Sequence, residues 1–392
     1  MRFSLRIVIG LGVFSIIGYG IHYFKYLRTG KPSITQPPYT DQGVSSRAAA
    51  QLKNIQSPGQ SSNNSTSMRP PQTTCGKTVA SELIDLKSIT PPGRPKVIIF
   101  INIPAAGGWS IRRFTLRKTW LSTAKNYSIA YRFFTDSIGV KPEVIKTLEK
   151  EREEFRDLEF IPTRSGYWLT HRYLFAMFWG YEHYDFKFYL KFDDDYFVCL
   201  NNLMNDIQYR MNEKLLYWGW FGCDPKMVAM DEGFVILSVD LVEEIMKRNN
   251  SLCCHPFGGQ MIAMWMNRLE REGYDTTYFP DNNRLMHIRS HFKQGPSKDM
   301  CKKLLGIHQA YPKYMWQYWN LTKDSWFSLK EDDFEKVERK PFNSYCKLKK
   351  EWDWRVLGSF WKHEPKPCWL PGLEWDARLQ KYKNVQSREQ EE

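Results

Sequence analysis

The sequence predicts an α/β protein in which a mostly parallel sheet is flanked by helices and preceded by a single transmembrane helix. Three observations predict this class: apolar runs alternate with helical patterns, an acidic triplet follows one apolar run, and residues 7–24 form an uncharged apolar segment. Alternating strands and helices are typical of a helix-covered parallel sheet. With 392 residues, 42% of them apolar, the chain is long enough for one large domain or two.

The N-terminal segment is predicted to be a membrane anchor. Residues 7–24 lack charges and are just long enough to span a bilayer, with arginines before them and basic residues after them. A cleaved signal peptide is the alternative, but the run exceeds a usual signal-peptide core and no Ala-x-Ala site follows closely. We therefore predict a cytoplasmic tail over residues 1–6 and an uncleaved signal anchor over 7–24.

The residues after the anchor predict a flexible stalk over 25–75, because they are rich in Ser, Gln, Asn, Thr and Pro. Eight cysteines and several Asn-x-Ser/Thr sequons favour an oxidising, lumenal compartment. The net charge of +13 suits anionic ligands, membranes or nucleic acid. No nucleic-acid-binding module accompanies it, so no nucleic-acid partner is predicted.

The main domain is predicted over residues 76–323. Apolar periodicity predicts strands over 97–103, 129–134 and 158–161, and helices over 112–121, 142–154 and 168–181. The last of these helices leads into a further strand, which ends at the acidic triplet. Ligands of such sheets bind at the carboxyl ends of the strands, so the triplet is expected at the functional edge.

The triplet consists of Asp193, Asp194 and Asp195. In an extended chain Asp193 and Asp195 project to one side and Asp194 to the other. Adjacent carboxylates repel one another, and Mg²⁺ or Mn²⁺ bound by them together with substrate phosphates would relieve that repulsion. A solvated acidic turn is an equally weighted alternative at this stage.

Several segments together resemble the β1,3-glycosyltransferase family of β1,3-galactosyl- and β1,3-N-acetylglucosaminyltransferases. The similarity spans residues 96–320, and Trp168 and Arg172 depart from its pattern by replacing Asn and Lys. The matching segments are RFTLRKTW (113–120), YWLTHR (167–172), LKFDDDYF (190–197), GFVILS (233–238) and LLGIH (304–308).

The resemblance implies a GT-A-like fold and a type II Golgi membrane enzyme with a lumenal catalytic domain. It implies inverting, Mn²⁺-dependent transfer of a hexose from a UDP-sugar to a glycan acceptor on a glycoprotein, glycolipid or proteoglycan. The implied metal ligands are Asp193, Asp195 and His308, with Asp193 and Asp194 also at the UDP-sugar. Complexes with other Golgi glycosyltransferases are a further implied partnership. Without the resemblance, His308 in its apolar segment reads as a packed side chain.

Two arginines are predicted to face the donor phosphates. Arg113 and Arg117 stand four residues apart and share a helical face, and guanidinium groups bind phosphate through paired hydrogen bonds. The alternative interpretation is a solvated basic face.

The family's acidic residues at the start of a later helix, including its general base, are absent here. The corresponding positions are Gly258 and Gly259, neither of which can accept a proton. The replacement candidates are Asp231 and Glu232, expected in an acceptor-facing loop, with His255 as a third. An Asp–Glu pair in a loop is more often only solvated.

Two functions of different class therefore stay open. One is an active β1,3-hexosyltransferase, and the other is a lapsed relative that binds UDP-sugar or glycan beside active enzymes. The intact triplet favours the first. A glycosidase is less favoured, because hydrolases need two carboxyls on either side of the bond. Residues 324–392 form a tryptophan-rich extension of unknown role, whose tryptophans fill a core or stack on sugars.

Overall fold

The computed structural model describes residues 83–164, 169–224, 227–254, 258–325 and 366–368. The predicted anchor, the stalk, His255 and nearly all of the tryptophan-rich extension lie outside these residues. Within the described ranges, no helix combines the length and the apolar character needed to cross a bilayer.

Twelve strands lie in the described residues. Three β-branched or aromatic-rich segments that the apolar pattern predicted, 97–103, 129–134 and 158–161, are strands with slightly wider bounds. The strands are β1 (Lys96–Pro104), β2 (Ile129–Ile138), β3 (Leu158–Arg164), β4 (Asp185–Phe192), β5 (Phe197–Val198), β6 (Leu216–Asp224), β7 (Met227–Ser238), β8 (Cys253–Cys254), β9 (Thr277–Pro280), β10 (Leu285–Met286), β11 (Gly306–Ile307) and β12 (Lys366–Pro367).

The helices are α1 (Leu86–Ile89), α2 (Ser110–Lys118), α3 (Pro142–Phe155), α4 (Leu169–His183), α5 (Leu200–Tyr209), α6 (Val239–Lys247), α7 (Gly258–Arg271), α8 (Met300–Lys303) and α9 (Pro312–Thr322). The predicted helix 112–121 ends earlier, at Lys118, and a 3₁₀ segment, Trp120–Asn126, follows it. Thr119 explains the break, because its hydroxyl donates to the Thr115 carbonyl at 2.8 Å and competes with the helical pattern.

The main sheet has seven strands in the order β3-β2-β1-β4-β7-β6-β9. β1, β2, β3 and β4 pair in parallel, as do β6 and β9, while β7 runs antiparallel to both of its neighbours. The predicted α/β class with a mostly parallel sheet is confirmed, and the sheet is mixed because of β7.

The strand order reverses between β1 and β4. The chain steps outward from β1 to β2 and β3, then returns to place β4 on the other side of β1. Helices that follow the strands diverge at such a point, and the crevice that they leave at the carboxyl ends is the usual ligand site of open α/β sheets. The triplet follows β4 directly, so it lies at this crevice.

Two apolar layers cover the sheet, one on each face. Alternate residues of β1 divide between them, with Phe100 in one layer and Ile99 and Ile101 in the other. The Phe100 layer contains side chains of α4, α6 and α7, and the Ile101 layer contains those of α2, α3, α5 and α9. Where α4 packs on β1, a Cβ on Gly180 would lie 2.4 Å from the Phe100 ring, so only glycine fits there.

A second, three-stranded sheet, β10-β11-β5, stands beside the triplet. Two disulfides join described cysteines that are distant in the chain: Cys199 to Cys301 beside this sheet, and Cys254 to Cys368 where β12 pairs with β8. No described cysteine is free.

Candidate active site

The acidic triplet occupies a turn between β4 and β5 rather than an extended strand. Backbone hydrogen bonds fix it: the Asp193 N–H donates to the Gly233 carbonyl at 3.1 Å, and the Asp195 carbonyl accepts from the Ala310 N–H at 2.7 Å. Although the turn differs from the predicted extended geometry, Asp193 and Asp195 still face a common partner and Asp194 faces another. The turn therefore sorts the three carboxylates into two environments.

The common partner is His308, immediately after β11. Its Nε2 lies 3.4 Å from an Asp195 oxygen and 3.8 Å from an Asp193 oxygen. Its Nδ1 lies 3.0 Å from the His287 carbonyl, and its ring stacks on Tyr196 at 5.5 Å between centroids. An Nδ1–H that donates to a carbonyl leaves Nε2 available as a ligand, which is the usual arrangement of metal-binding histidines.

These three side chains fit a divalent cation. The ligand atoms of Asp193, Asp195 and His308 lie within 4.8 Å of one another, and two carboxylates with one imidazole form a donor set suited to Mn²⁺. Burial alone would lower the pKa of His308, but the surrounding carboxylates, Asp195 foremost, raise it to about 10. The cluster therefore attracts positive charge, whether from an imidazolium or from a cation.

Asp194 points away from this cluster and pairs with Arg112. The Arg112 guanidinium lies 2.8 Å from Asp194 and 3.8 Å from Asp195, and the Asp194 side chain is only 4% exposed. Burial, with help from the neighbouring carboxylates, raises the pKa of Asp194 to about 7 in spite of the arginine. The Arg112 guanidinium lies 3.9 Å from the Trp109 ring and 5.0 Å from the Tyr311 ring.

The structure corrects the arginine assignment. Arg113 is fully buried and bonds to Glu151 and to the carbonyls of Ala106 and Gly107, while Arg117 bonds to Glu151 and Asp157. Their guanidinium groups serve ion pairs inside the protein rather than the predicted phosphate site. Arg112, in the first turn of α2, is the arginine that reaches the triplet, and no sequence pattern distinguishes it from its neighbour Arg113.

Asp231 and Glu232 lie within β7, not in a loop as the sequence suggested. β7 pairs with β4 from Phe234 onward and with β6 on both sides of these two residues, which lie where the β6–β7 register shifts. Asp231 lies 2.8 Å from Nδ1 of His287, whose ring stacks on Trp220. Asp231, His287 and His308 form a second group whose ligand atoms converge within 4.8 Å. Sequence reasoning missed His287, which lacks a motif of its own.

Lys191 links the triplet to β7. Its ammonium lies 2.5 Å from an Asp193 oxygen and also donates to the Glu232 carbonyl. The Lys191 side chain is only 3% exposed, so water screens the attraction between its ammonium and Asp193 poorly. Asp193 itself is 35% exposed, the most open side chain of the cluster.

Parts of this chain are similar in sequence to known galactosyltransferases. Residues 111–228 match the family model described as Galactosyltransferase. Mouse beta-1,3-galactosyltransferase 6 is 26% identical over 247 residues, which cover 55% of this chain and 76% of the mouse protein. Residues 111–228 thus carry the pattern of a galactosyltransferase domain. The chain is a glycosyltransferase, as the motifs around the triplet predicted.

Plant and structural relatives are more distant. Hydroxyproline O-galactosyltransferase GALT5 of Arabidopsis thaliana is 33% identical over 129 residues, 31% of this chain but only 19% of the plant protein. The solved galactosyltransferase LgtC, in complex with donor and acceptor sugar analogs, aligns over 59% of this chain and 98% of its own at 10% identity, with a TM-score of 0.33. A glycosyltransferase involved in glycosylating the PBCV-1 major capsid aligns at a TM-score of 0.32 and 11% identity.

Proposed function

We propose that this protein is an inverting β1,3-hexosyltransferase that moves galactose or an N-acetylhexosamine from a UDP-sugar to a glycan acceptor. The observation that carries the proposal is the convergence of Asp193, Asp195 and His308 at the crevice beside β1 and β4. Galactose is favoured as the donor sugar by the family match over residues 111–228. A GT-A fold suits the order of the parallel strands around that crevice.

Asp193, Asp195 and His308 are proposed to hold a Mn²⁺ ion. When bound, this ion acts as a Lewis acid that neutralises the charge developing on the departing diphosphate. The protein supports this chemistry by pre-ordering the ligands: the Ala310 N–H holds Asp195, and the His287 carbonyl orients His308. Arg112 neutralises Asp194, so that the triplet tolerates three adjacent carboxylates.

The partners and the compartment follow from the same proposal. A UDP-sugar enters the crevice, and a glycan on a glycoprotein, glycolipid or proteoglycan is the acceptor. A Golgi lumen location, with residues 7–24 as the anchor, is supported by the two disulfides. The sequon residues Asn126 and Asn320 are exposed and open to glycosylation, whereas Asn249 is buried. Complexes with other Golgi glycosyltransferases are part of the proposal.

The test is sugar transfer by the full-length protein purified in detergent. UDP-galactose, UDP-N-acetylgalactosamine and UDP-N-acetylglucosamine are each supplied with p-nitrophenyl glycosides of galactose, N-acetylglucosamine, N-acetylgalactosamine and xylose, with Mn²⁺ or with EDTA. We expect UDP release that needs both the metal and one acceptor. UDP binding is measured in parallel by calorimetry.

Asp195→Ala tests the metal site, because it removes one proposed ligand and leaves the Asp194–Arg112 pair in place. The variant is expected to stay folded and to lose Mn²⁺-dependent UDP binding. Unchanged metal-dependent binding in the folded variant would contradict the metal site. A wild-type protein that binds UDP with Mn²⁺ but transfers nothing would instead favour a lapsed relative that binds UDP-sugar and partners active enzymes.

A further inference from the structure

The start of α7 lacks the acidic residues that the family resemblance leads one to expect, and the structure shows what fills their space. A Cβ on Gly258 would lie 2.8 Å from Oε2 of Glu232 and 2.2 Å from a Tyr173 ring carbon. A Cβ on Gly259 would lie 3.3 Å from the Glu232 Cβ and 2.9 Å from the Met230 carbonyl. The Glu232 side chain therefore occupies the volume next to the two glycines, and larger residues at the helix start would collide with it.

Glu232 is held firmly in that volume. Its Oε2 accepts a hydrogen bond from the Gly259 N–H at 3.0 Å, in the first turn of a 14-residue helix where backbone N–H groups lack helical partners. Its backbone carbonyl accepts from the Tyr173 hydroxyl at 3.1 Å and from Lys191, which also contacts Asp193. The carboxylate is thereby fixed relative to the metal cluster.

The second carboxylate oxygen of Glu232 is available. No described residue donates a hydrogen bond to Oε1. Oε1 is also absent from the set of fully buried polar atoms without a hydrogen-bond partner, so it is in contact with solvent. Glu232 is half-buried, so an acceptor hydroxyl has access to it. Burial raises the pKa of Glu232, with Lys191 opposing the shift, and a higher pKa makes a carboxylate a stronger base.

Asp231 is differently placed, which separates the two acidic candidates. Successive side chains of a strand point to opposite faces, so Asp231 and Glu232 diverge. Asp231 turns to His287 and lies near His308, where a Cβ on Gly233 would meet both Asp231 and His308. Asp231 thus belongs with the histidines, and Glu232 with the start of α7.

We propose that Glu232 is the general base that replaces the acid missing from the start of α7. This inference rests on the proposed transferase function. The acceptor O–H bond breaks and its proton moves to Oε1 of Glu232, while the hydroxyl oxygen bonds to the anomeric carbon of the donor sugar. The bond from that carbon to the β-phosphate oxygen breaks, and its electron pair leaves with UDP.

The experiment compares Glu232→Gln, Glu232→Ala and wild-type full-length protein, using UDP-galactose with the same p-nitrophenyl glycosides. Glutamine keeps an oxygen for the Gly259 N–H but cannot take a proton at neutral pH. We expect Glu232→Gln to lower kcat by about 10²- to 10⁴-fold, with Mn²⁺-dependent UDP affinity within twofold of wild type. Glu149→Gln, on the exposed side of α3, is the matched control and is expected to be unchanged.

Chemical rescue distinguishes a base from a structural support. Added sodium formate is expected to restore transfer by Glu232→Ala at least tenfold, because the truncated side chain leaves room for a small carboxylate beside Gly258 and Gly259. Formate should do nothing for Glu232→Gln. Transfer by Glu232→Gln within threefold of wild type would overturn the proposal, as would a parallel loss of UDP binding. A wild-type protein that transfers no sugar would contradict the transferase function itself, and this assignment with it.

Discussion

Arg112 and Asp194 show how one ion pair makes the acidic turn possible. Asp194 is 4% exposed and Arg112 13% exposed at their side chains, and the guanidinium lies 2.8 Å from the carboxylate. Removing one partner of a buried pair leaves an uncompensated charge, which costs far more than the pair itself contributes. The main role of Arg112 is therefore to stabilise the turn that carries Asp193 and Asp195.

Arg112→Met is expected to lower the free energy of unfolding by about 2–4 kcal/mol, because Asp194 is left buried without its cation. The double variant Arg112→Met/Asp194→Asn should recover at least half of that loss. Urea unfolding followed by tryptophan fluorescence measures both. Arg152→Met is the control, since the Arg152–Glu159 pair is 38% exposed on the arginine side and should cost less than about 1 kcal/mol. Equal losses in the single and double variants would contradict this account.

His183 is a half-buried neutral histidine at the end of α4. Its ring stacks on Trp179 at 3.8 Å, and its Nδ1 bonds to the Trp179 carbonyl at 2.6 Å. Burial lowers the pKa of His183 to about 4, with Arg132 adding to the effect and the backbone hydrogen bond opposing it. At a pH between this value and the ordinary histidine pKa, His183 is protonated in the unfolded state and neutral in the folded state.

Stability should consequently rise with pH between about 4 and 6.5. Between pH 7.5 and pH 5, His183 should remove about 2 kcal/mol from the free energy of unfolding. His183→Gln should show a correspondingly flatter pH dependence in urea unfolding at these two pH values. His291→Gln, at an exposed position, should keep the wild-type slope. Identical slopes for wild type and His183→Gln would show that this histidine is not the titrating group.

At the scale of elements, the small sheet β10-β11-β5 brings His308 to the triplet. β11 pairs in parallel with β10 and antiparallel with β5, so Ile307 stands opposite Phe197. Gly306 packs so closely that a Cβ there would lie 2.6 Å from the Tyr196 ring and 2.8 Å from the Phe197 carbonyl. The Phe197 carbonyl is a backbone atom and cannot move aside as a flexible side chain can. The close contact with Gly306 therefore fixes the distance between β11 and the triplet.

Gly306→Ala is expected to displace β11 and with it His308. Overpacking of this kind costs about 1–3 kcal/mol of stability. Mn²⁺-dependent UDP affinity should fall about 10- to 100-fold, as when the support of a metal ligand is disturbed. Gly108→Ala is the matched control, because no atom lies within 4 Å of a Cβ at that position. Calorimetry that finds wild-type UDP affinity in Gly306→Ala would contradict the proposed dependence on β11.

At the scale of the whole molecule, chain-distant segments meet at one edge of the sheet. The triplet follows β4, Glu232 lies in β7 and His308 follows β11, and the Cys199–Cys301 disulfide closes a separation of 102 residues beside them. A crosslink over so long a loop restricts the unfolded chain strongly. Its two ends flank the segments that carry the triplet and His308.

Cys199→Ala/Cys301→Ala is expected to lower the free energy of unfolding by about 2–4 kcal/mol, measured in urea without reductant. The double replacement avoids a lone thiol that would exchange with the other disulfides. Reduced wild-type protein should be destabilised at least as much, because it loses Cys254–Cys368 as well. An unchanged unfolding midpoint for the double variant would mean that packing alone holds these segments.

Features that depend on local pattern could be predicted from the amino-acid sequence. The positions of β1, β2 and β3, the helices predicted over 142–154 and 168–181, and the place of the acidic triplet at the end of a strand all followed from periodicity and from charge, but the turn did not. These features are readable because a strand or helix records its buried face in the spacing of its own apolar residues. The family resemblance added His308, which has no signal of its own.

Which side chains meet could not be predicted from the sequence and became clear from the packed fold. Arg112, not Arg113 or Arg117, reaches the triplet, although all three lie on α2. Glu232, not Asp231, fills the space beside Gly258 and Gly259. Periodicity assigns a residue to a face of its own element, but the partner on the facing element depends on strand order and on helix placement. Those arise from the packing of the whole sheet, which no local pattern contains.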